Sequence, residues 1–301
     1  MPRMAILIIT KNIDMISFSI EMDPLSPFFS HFALSARVFY SGLLCGASGD
    51  HVTETAGHLH VLRRGILDVE RPGSQSISVN EPSVLFYPRP CRHRFRVDEA
   101  SGAELVCATI EFGAGMLNPI VHALPEVLIV PLGSVKELAP TVDLLFAEAF
   151  GEQPGRQSAV DRLAEYFLVL LLRAAMNSRL IQGGVLLGLA DRRLAKAIEA
   201  MHEQPEHPWT LETLAAKASM SRARFAVHFR NTVGVTPFDY LTDWRVGVAQ
   251  DLLKRGNALK IVAPSVGYAS SMALTRAFSQ RVGLSPTAWI SKVLNDRKIA
   301  S

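Results

Sequence analysis

The reactivity of a cysteine thiol depends strongly on its surroundings, and this sequence has three cysteines. Cys91 lies between Arg89 and Arg92. Because nearby positive charge favours the thiolate, this arrangement predicts a reactive thiol at Cys91. Cys45 and Cys107 border or occupy apolar strand-like segments, where free cysteines commonly act as small buried hydrophobic residues. Three cysteines are too few for a disulfide framework, and they fit a reducing cytoplasm.

A second chemistry is indicated by an internal repeat near the C-terminus. The first copy covers residues 214–240 and the second covers residues 262–289. Phe229 of the first copy matches Phe278 of the second at an offset of 49 residues. Each copy reads as a short helix, a tight turn and a second helix, which is the pattern of a helix-turn-helix.

Each predicted second helix carries an inward pair of apolar residues four positions apart. Phe225 and Phe229 form this pair in the first copy, and Leu274 and Phe278 form it in the second. Since the second helix of a helix-turn-helix enters the major groove, the outward residues are the predicted DNA-binding set. They are Ser221, Arg222, Ala223, Arg224, Ala226, Val227 and Arg230 in the first copy, and Ser271, Met272, Thr275 and Arg276 in the second.

Local signals mark the limits of these helices. Ser219 falls at the sharp turn, and Ser221 can cap the next helix by accepting a hydrogen bond from a free backbone N–H. Gly234 ends that helix. Residues 242–255 read as a helix joining the two units rigidly, which places both reading helices on one face of DNA, roughly 34 Å apart.

Charge is distributed unevenly along the 301 residues, a length that favours about two domains. Residues 191–301 carry 16 Lys and Arg against 9 Asp and Glu, a net charge of +7, and the preceding residues carry a net charge of −4. A basic C-terminal third favours a polyanion-binding module joined to a different domain. The apolar fraction of 49% excludes a disordered chain. No apolar stretch reaches the ~18 residues of a membrane span, and a signal peptide is not expected.

The N-terminal part reads as an extension followed by strands. Residues 1–21 show no clear pattern and are interpreted as an extension that need not be ordered. Residues 22–25 read as a helix start with Asp23 as the N-cap. Residues 38–112 are strand-rich, with turn signals about every ten residues, which favours a small antiparallel barrel or jelly roll.

Helical periodicity follows these strands. Helices are predicted at residues 135–150 and 158–177, and residues 182–189 read as a connector. The second helix is apolar on most faces, so it must be buried within its domain or against a second subunit. The predicted fold class is α+β with two domains: an N-terminal β-barrel with helices, and a C-terminal all-α domain with two helix-turn-helix units. The predicted divisions are an extension at 1–21, a sensor domain at 22–130, a helical dimerisation or linker region at 131–190, and a DNA-binding domain at 191–301.

Residues from about 191 to 292 resemble the DNA-binding domain of the AraC/XylS family of transcription regulators. The residues that carry the resemblance are Trp209-Thr210-Leu211-x-x-Leu214-Ala215, Met220-Ser221, Phe225 and Phe229 in the first copy, and Val266-Gly267-Tyr268, Ser270, Arg276-Ala277-Phe278 and Gly283-x-Ser285-Pro286 in the second. The resemblance implies sequence-specific promoter binding that activates or represses transcription, with RNA polymerase as a partner.

The same resemblance assigns roles to the outward residues of the first copy. Its base-reading face falls on Ala223, Ala226 and Val227, and that of the second copy falls on Ser271, Met272, Thr275 and Arg276. The apolar face can contact thymine methyls but cannot read guanine, so Arg222 or Arg224 is expected to supply polar readout. Phosphate contacts are expected from Arg230, Lys254 and Arg276.

One residue departs from the family pattern. Pro264 lies within the first helix of the second copy, where the family has a helix former. Because proline inside a helix removes a hydrogen bond and clashes with the preceding turn, we expect this helix to be shortened.

The strand-rich segment resembles the cupin-type N-terminal domains of many of these regulators. Residues 88–93 match the second cupin motif, with a proline in place of its glycine. The cupin spacing, counted back from Gly65, places His51, Thr53 and His58 at the ligand positions of the first motif. With His93 this makes three imidazoles, enough for Zn, Cu, Ni or Fe. Because Thr53 and His58 replace the usual His and Glu, a barrel that has lost its metal is the favoured interpretation, and a divalent metal at His51, His58 and His93 is the alternative.

The cysteines offer a different signal. The arrangement around Cys45 and Cys107 is similar to that of cupin-bearing family members that sense oxidants through cysteine. It makes Cys45, Cys91 and Cys107 the candidate redox residues. The alternative is that Cys45 and Cys107 are buried hydrophobic residues.

These observations predict a sequence-specific transcriptional regulator whose cupin-like domain senses a small molecule, a metal or an oxidant. The expected partners are double-stranded promoter DNA, RNA polymerase and a second copy of the chain, in the cytoplasm and away from membranes. The alternative is a metal-dependent cupin enzyme with an appended DNA-binding module. An enzyme is not the favoured interpretation, because a labile open metal site needs three firm ligands.

Overall fold

The computed structural model describes residues 23, 25–51, 53, 56–115, 118–177, 181 and 183–299. The predicted extension at 1–21 lies outside the described residues. Within the described part of the chain, no helix is both long enough and apolar enough to cross a membrane.

Antiparallel strands of the N-terminal half form two facing sheets, which confirms the predicted barrel. The strands among the described residues are β1 Leu34–Leu44, β2 Gly46–Ala47, β3 Gly57–Arg64, β4 Leu67–Glu70, β5 Ile77–Val79, β6 Ser83–Tyr87, β7 Arg94–Val97, β8 Ala103–Phe112 and β9 Leu128–Pro131. One sheet has the order β1-β8-β3-β6-β9, and the other has the order β2-β7-β4-β5. Because successive side chains alternate between the faces of a strand, the larger sheet presents one face to the barrel interior and one to the helices.

The two faces of the larger sheet belong to two different cores. Leu85, Tyr87 and Cys107 face the barrel interior and pack with Phe95 of the smaller sheet. Residues on the opposite face, such as Phe86, pack with the helices in a core that continues into the C-terminal domain. The outer core therefore joins the two halves of the molecule.

In the described part of the chain, five α-helices accompany the barrel. They are α1 Ser26–His31, α2 Pro119–Ala123, α3 Ala139–Ala149, α4 Arg156–Asn177 and α5 Val185–Ala190. The predicted helices at 135–150 and 158–177 are confirmed as α3 and α4, whereas the predicted connector at 182–189 contains α5. The predicted start at Asp23 is displaced: Leu25 is the N-cap of α1, and the Asp23 carboxylate accepts from the Leu25 backbone N–H and the Ser26 hydroxyl.

Helix α4 covers the outer edge of the larger sheet. Its Asp161 carboxylate accepts a 2.7 Å hydrogen bond from the Val38 backbone N–H of β1, and the Gln157 side chain donates to the Val38 carbonyl at 2.9 Å. An edge strand exposes unpaired backbone groups unless another element covers them. Helix α4 also buries Phe167 and Leu171 within this chain. Of the two expected modes of burial, within the domain or against a second subunit, the structure therefore shows the first.

The C-terminal domain is helical, as predicted. Its helices are α6 Arg192–Glu203, α7 Leu211–Lys217, α8 Arg222–Val233, α9 Pro237–Lys254, α10 Leu259–Ser265, α11 Ser271–Val282 and α12 Pro286–Ile299. The joining helix predicted at 242–255 is confirmed as part of α9. The expected shortening at Pro264 is wrong: α10 and α7 both have 7 residues, because Pro264 lies at the penultimate position of α10 and leaves its earlier turns intact.

An aromatic cluster joins the two domains at α9. Phe28 of α1 packs against Trp244 with ring centroids 5.2 Å apart, and Phe32 packs against the same indole at 5.1 Å. His202 of α6 stacks on Trp244 at 3.7 Å and hydrogen-bonds Tyr240. Burial holds the pKa of His202 well below its usual value, so the imidazole is neutral in this contact.

Candidate DNA interface and barrel histidine cluster

Helix α8 presents the outward face that its spacing predicts. Phe225 and Phe229 are fully buried, and this fixes the rotation of the helix. The exposed residues are Ser221, Arg222, Ala223, Arg224, Val227 and Arg230, and Ala226 is half-buried. Val227 is 61% exposed, so its methyl groups lie on the outer face of the helix.

Helix α11 repeats this geometry with different side chains. Leu274 and Phe278 are fully buried. Met272 and Arg276 are exposed, while Ser271 and Thr275 are half-buried. Met272 is 66% exposed, and one Arg276 nitrogen lies 3.7 Å from its sulfur. The Thr275 hydroxyl donates to the Ser271 carbonyl at 2.8 Å.

The turn inside each unit uses a left-handed backbone conformation. Ser219 has φ 53° in the first unit, and Gly267 has φ 82° in the second. A left-handed conformation is costly for a residue with a Cβ, and glycine avoids that cost. A side chain at residue 267 would also collide with the Arg245 guanidinium and the Pro205 carbonyl. Ser219 and Gly267 occupy corresponding positions of the two copies, and both have a left-handed backbone conformation.

The N-terminal caps of the two reading helices differ. Ser221 is the N-cap residue of α8, but its side chain makes no capping hydrogen bond, so the predicted side-chain cap is wrong. In α11 the Ser270 hydroxyl accepts from the Ala273 backbone N–H at 3.2 Å. Both helices end at left-handed glycines, Gly234 and Gly283, as the spacing predicts.

Two arginines away from the reading faces join distant segments of the C-terminal domain, and sequence reasoning did not single them out. Arg281 of α11 pairs with Asp239 at 2.7 Å and with Asp243 at 3.0 Å on α9. The Arg245 side chain donates to the Pro205 and His207 carbonyls. No local motif predicts these contacts, because the residues that bind Arg281 and Arg245 lie about 40 positions away in the sequence.

Four histidines meet inside the barrel. His58 and His60 lie on the same face of β3, and His93 precedes β7. One ring nitrogen from each of these three residues lies within 4.8 Å of the others. His51 joins them through a backbone bridge to His93, with ring centroids 5.3 Å apart.

The observed group of three differs from the predicted one. His51 stands beside the group, and His60 takes its place. Cupin spacing overlooks His60, yet the alternation of a strand beginning at Gly57 puts His58 and His60 on one face. Thr53, at another ligand position of the cupin pattern, donates its hydroxyl to the Ala56 carbonyl.

Several nitrogens of the histidine cluster have no hydrogen-bond partner. They are His51 Nε2, His58 Nδ1 and His60 Nδ1. The Nε2 atoms of His60 and His93 lie 2.8 Å apart, and His93 Nδ1 is 2.9 Å from the Cys91 carbonyl. A carbonyl only accepts, so His93 Nδ1 carries the proton and its Nε2 offers a lone pair.

Burial keeps these imidazoles neutral. It lowers the pKa of His58 to about 4 and that of His93 to about 4, and it also lowers the pKa of His51 and, strongly, that of His60. Neutral imidazole is the form that binds metal ions. The orphaned buried nitrogens and the all-imidazole donor set therefore fit a cation such as Zn²⁺.

The predicted electrostatic activation of Cys91 is wrong. Burial is the main cause that raises the pKa of its thiol, and Glu126 raises it further. Arg89 instead donates to the Val121 carbonyl at 2.8 Å, and Arg92 pairs with Asp50. Arg71 lowers the pKa of the Cys91 thiol, but burial and Glu126 outweigh it, and the two flanking arginines are engaged elsewhere.

The other two cysteines occupy contrasting environments. Cys107 is 1% exposed, and burial raises the pKa of its thiol, as expected of a buried hydrophobic residue. Cys45 is exposed, so the alternative interpretation as a buried hydrophobic residue is wrong for Cys45.

Comparisons with known proteins agree with this architecture. A cupin family model matches residues 23–177, and a helix-turn-helix domain model matches residues 214–292. The RCS-specific HTH-type transcriptional activator RclR of Escherichia coli is 29% identical over 78% of this chain and 84% of its own length. An AraC-like transcription regulator of Streptomyces lividans is 33% identical over 64% of each chain. Among solved structures, the DNA-binding domain of AdpA in complex with a target DNA is 33% identical, with a TM-score of 0.33, over 35% of this chain and 95% of that one.

A cupin barrel followed by two helix-turn-helix units defines a class of regulator in which a cupin domain is joined to a DNA-binding domain. The chain belongs to the AraC-type family of transcription regulators, in the group whose N-terminal domain is a cupin. The relatives described above are themselves named as transcription regulators.

Proposed function

We propose that this regulator recognises promoter DNA by inserting α8 and α11 into successive major grooves of one duplex. The supporting observation is the exposure of Val227 and Met272 at 61% and 66% on helices whose other faces are buried. Helix α9 lies between the two units and packs against both, so it sets their separation. The proposed contacts are the eleven outward residues of α8 and α11 named from the sequence.

The two reading faces call for different kinds of DNA contact. On α8, Ala223, Ala226 and Val227 offer methyl groups that suit thymine, and Arg222 or Arg224 supplies hydrogen bonds. On α11, Ser271 and Thr275 suit polar readout, while Arg276 contacts phosphate. We therefore expect the half-site read by α8 to depend on thymine methyls.

Single charge insertions test whether these helices bind DNA. We expect Val227→Glu and Met272→Glu each to abolish operator protection by the full chain, because a carboxylate would face the phosphate backbone. The matched control is Ile66→Glu, which places the same charge at an apolar residue that is 54% exposed between β3 and β4. Footprinting on genomic fragments selected by the wild-type protein measures the effect.

Two outcomes would reject this proposal. The wild-type chain could show no preference for any promoter over random DNA at moderate salt. Alternatively, both helix variants could protect the operator as well as Ile66→Glu does.

We also propose that the chain acts in the cytoplasm as a homodimer and recruits RNA polymerase. Apolar side chains on the sensor-domain helices support the dimer, with Leu144 of α3 55% exposed and Tyr166 of α4 52% exposed. Light scattering should give a dimer for the wild type and a monomer for Tyr166→Glu. A wild-type chain that stays monomeric at micromolar concentration would contradict this assembly.

An oxidant is one candidate signal for the barrel. RclR, similar over most of this chain, is named as RCS-specific, and Cys45 is the exposed cysteine of the three. If oxidation is sensed here, a variant with Cys45, Cys91 and Cys107 replaced by serine should no longer respond to oxidant in a promoter assay. A normal response by that variant would end the redox proposal.

A further inference from the structure

We propose that the barrel binds a divalent transition-metal ion of the zinc class through the imidazoles of His58, His60 and His93. The inference deepens the proposed sensor role by naming a ligand for the barrel. It also replaces the ligand set that cupin spacing predicts, because His60 belongs to the group and His51 stands outside it.

The strands of the larger sheet bring the first two imidazoles together. His58 lies opposite Tyr87 of β6, and His60 lies opposite Leu85 of the same strand. Both side chains therefore point into the barrel, where they are 2% and 0% exposed. Because they are held on one strand at a spacing of two residues, their separation is set by the pleat rather than by a flexible loop.

The third imidazole is oriented by two contacts of its own. The ring of His93 stacks on Tyr87 with centroids 4.3 Å apart, and its Nδ1 lies 2.9 Å from the Cys91 carbonyl. Metal-binding histidines commonly donate their second nitrogen to a carbonyl, which fixes the tautomer and turns the free nitrogen toward the ion. The other nitrogen of His93 is Nε2, which lies 2.8 Å from Nε2 of His60 in this structure, so both lone pairs are directed toward one point only when an ion replaces that hydrogen bond.

As ordinary core packing, the histidine cluster would be energetically unfavourable. Native interiors pair almost all of their buried polar atoms, yet His58 Nδ1 and His60 Nδ1 are both buried without a partner. Hydrophobic side chains of similar size would avoid that cost. A cation removes part of it, because each imidazole then gives a lone pair to the ion.

The donor set restricts the ion. Within the described residues, the group of three contains imidazole nitrogens and no carboxylate or thiol. Imidazole suits Zn²⁺, Cu²⁺, Ni²⁺ and Fe²⁺, whereas Ca²⁺ and Mg²⁺ prefer oxygen ligands. Three nitrogens leave a further position on the ion for water or another ligand.

An open cleft leads toward this cluster. It is lined by Phe39, Ser48, Asp50, His51, Phe95 and Cys107, and the His51 ring that lines it also contacts the rings of the three ligands. The His51 ring centroid is 5.4 Å from that of His60. We assign His51 to the entrance and the three buried histidines to the ion.

Titration of the full chain with Zn²⁺ after chelator treatment tests the assignment. We expect one ion per chain by calorimetry, and Co²⁺ in its place should give the absorption bands of nitrogen coordination. His60→Gln should weaken Zn²⁺ binding at least tenfold, whereas His51→Gln should change it less than threefold. The control His207→Gln removes an exposed histidine of the C-terminal domain and should have no effect.

Operator binding by each variant shows independently whether the chain is folded. Absence of stoichiometric binding by the wild type would overturn the metal site while leaving the proposed DNA interface intact. Loss of Zn²⁺ binding in His51→Gln with retention in His60→Gln would overturn the ligand assignment and would support His51, His58 and His93, the ligands that cupin spacing predicts.

Discussion

The two helix-turn-helix units share a backbone plan but differ in what they contact. In both units a helix of 7 residues precedes a reading helix of 12 residues. The first unit contacts the segment before α5, where the Gly184 backbone N–H donates to the Thr232 carbonyl at 3.0 Å, and within the C-terminal domain His228 lies 2.7 Å from the carboxylate of Asp191, the N-cap of α6. The second unit is held to α9 by Arg281. The two units therefore share the pair of buried apolar residues on the second helix and the left-handed turn before it. They differ in the contacts that each unit makes with the rest of the chain.

That difference gives the two units separate contacts with the rest of the chain. Helix α5, which follows the helices of the barrel domain, packs on α8. Helix α9 holds the second unit at a distance set by its 18 residues.

The largest expected effect comes from removing the shared aromatic core. Phe229→Ala and Phe278→Ala should each lower the free energy of unfolding by about 3–5 kcal/mol, because both rings are fully buried and the cavity cannot close. Urea denaturation of the full chain, followed by circular dichroism, measures this loss. A cost below ~1 kcal/mol for either variant would show that its unit is not packed as described.

The next effect separates the reading faces. Arg276→Ala should weaken operator binding roughly tenfold and reduce the salt dependence by about one phosphate contact. Val227→Ser should leave the salt dependence unchanged and reduce the preference for thymine in the α8 half-site. Binding curves at several salt concentrations distinguish the two variants. Identical salt slopes for the wild type and Arg276→Ala would contradict the proposed phosphate contact of Arg276.

A smaller effect concerns the ion pairs of Arg281 with Asp239 and Asp243, which we call the clamp because they hold α11 of the second unit to α9. Arg281→Ala should cost about 1 kcal/mol of stability, because it breaks partly exposed pairs with two carboxylates. The control is Arg162→Ala, whose pair with Glu165 lies at the surface with the Arg162 side chain 80% exposed. If the two variants have equal stability, the clamp contributes nothing beyond an ordinary surface pair.

The smallest effect tests the two caps. Ser270→Ala should destabilise the chain by about 1 kcal/mol, since its hydroxyl accepts from the Ala273 N–H. Ser221→Ala should cost only a few tenths, because Ser221 makes no such bond. Thermal unfolding of both variants measures the contrast, and a reversed order would mean that the caps are assigned to the wrong helices.

Much of the DNA-binding domain could be predicted because its signals are local. The four-residue spacing of Phe225 and Phe229, and the glycines that end the reading helices, depend on neighbouring residues alone. The hydrogen bond of Ser221 could not be predicted, because serine at an N-cap position need not orient its hydroxyl toward the helix.

The barrel site could be predicted only in part. Spacing singled out His58 and His93, but it overlooked His60, since the motif pattern does not use strand alternation. Flanking arginines indicated an activated Cys91, whereas Val121, Leu124 and Asp50 engage those arginines. Those partners lie more than 30 residues away along the chain.

By itself, the sequence determined the element types, the two duplicated units and which side chains of α8 and α11 face outward. Periodicity and turn chemistry act over a few residues, so they can be read from a single chain. Tertiary structure alone decided the meeting of the buried imidazoles, the environment of each cysteine and the packing of α1 on α9. These depend on burial and on partners far apart in the chain, and no local pattern encodes either.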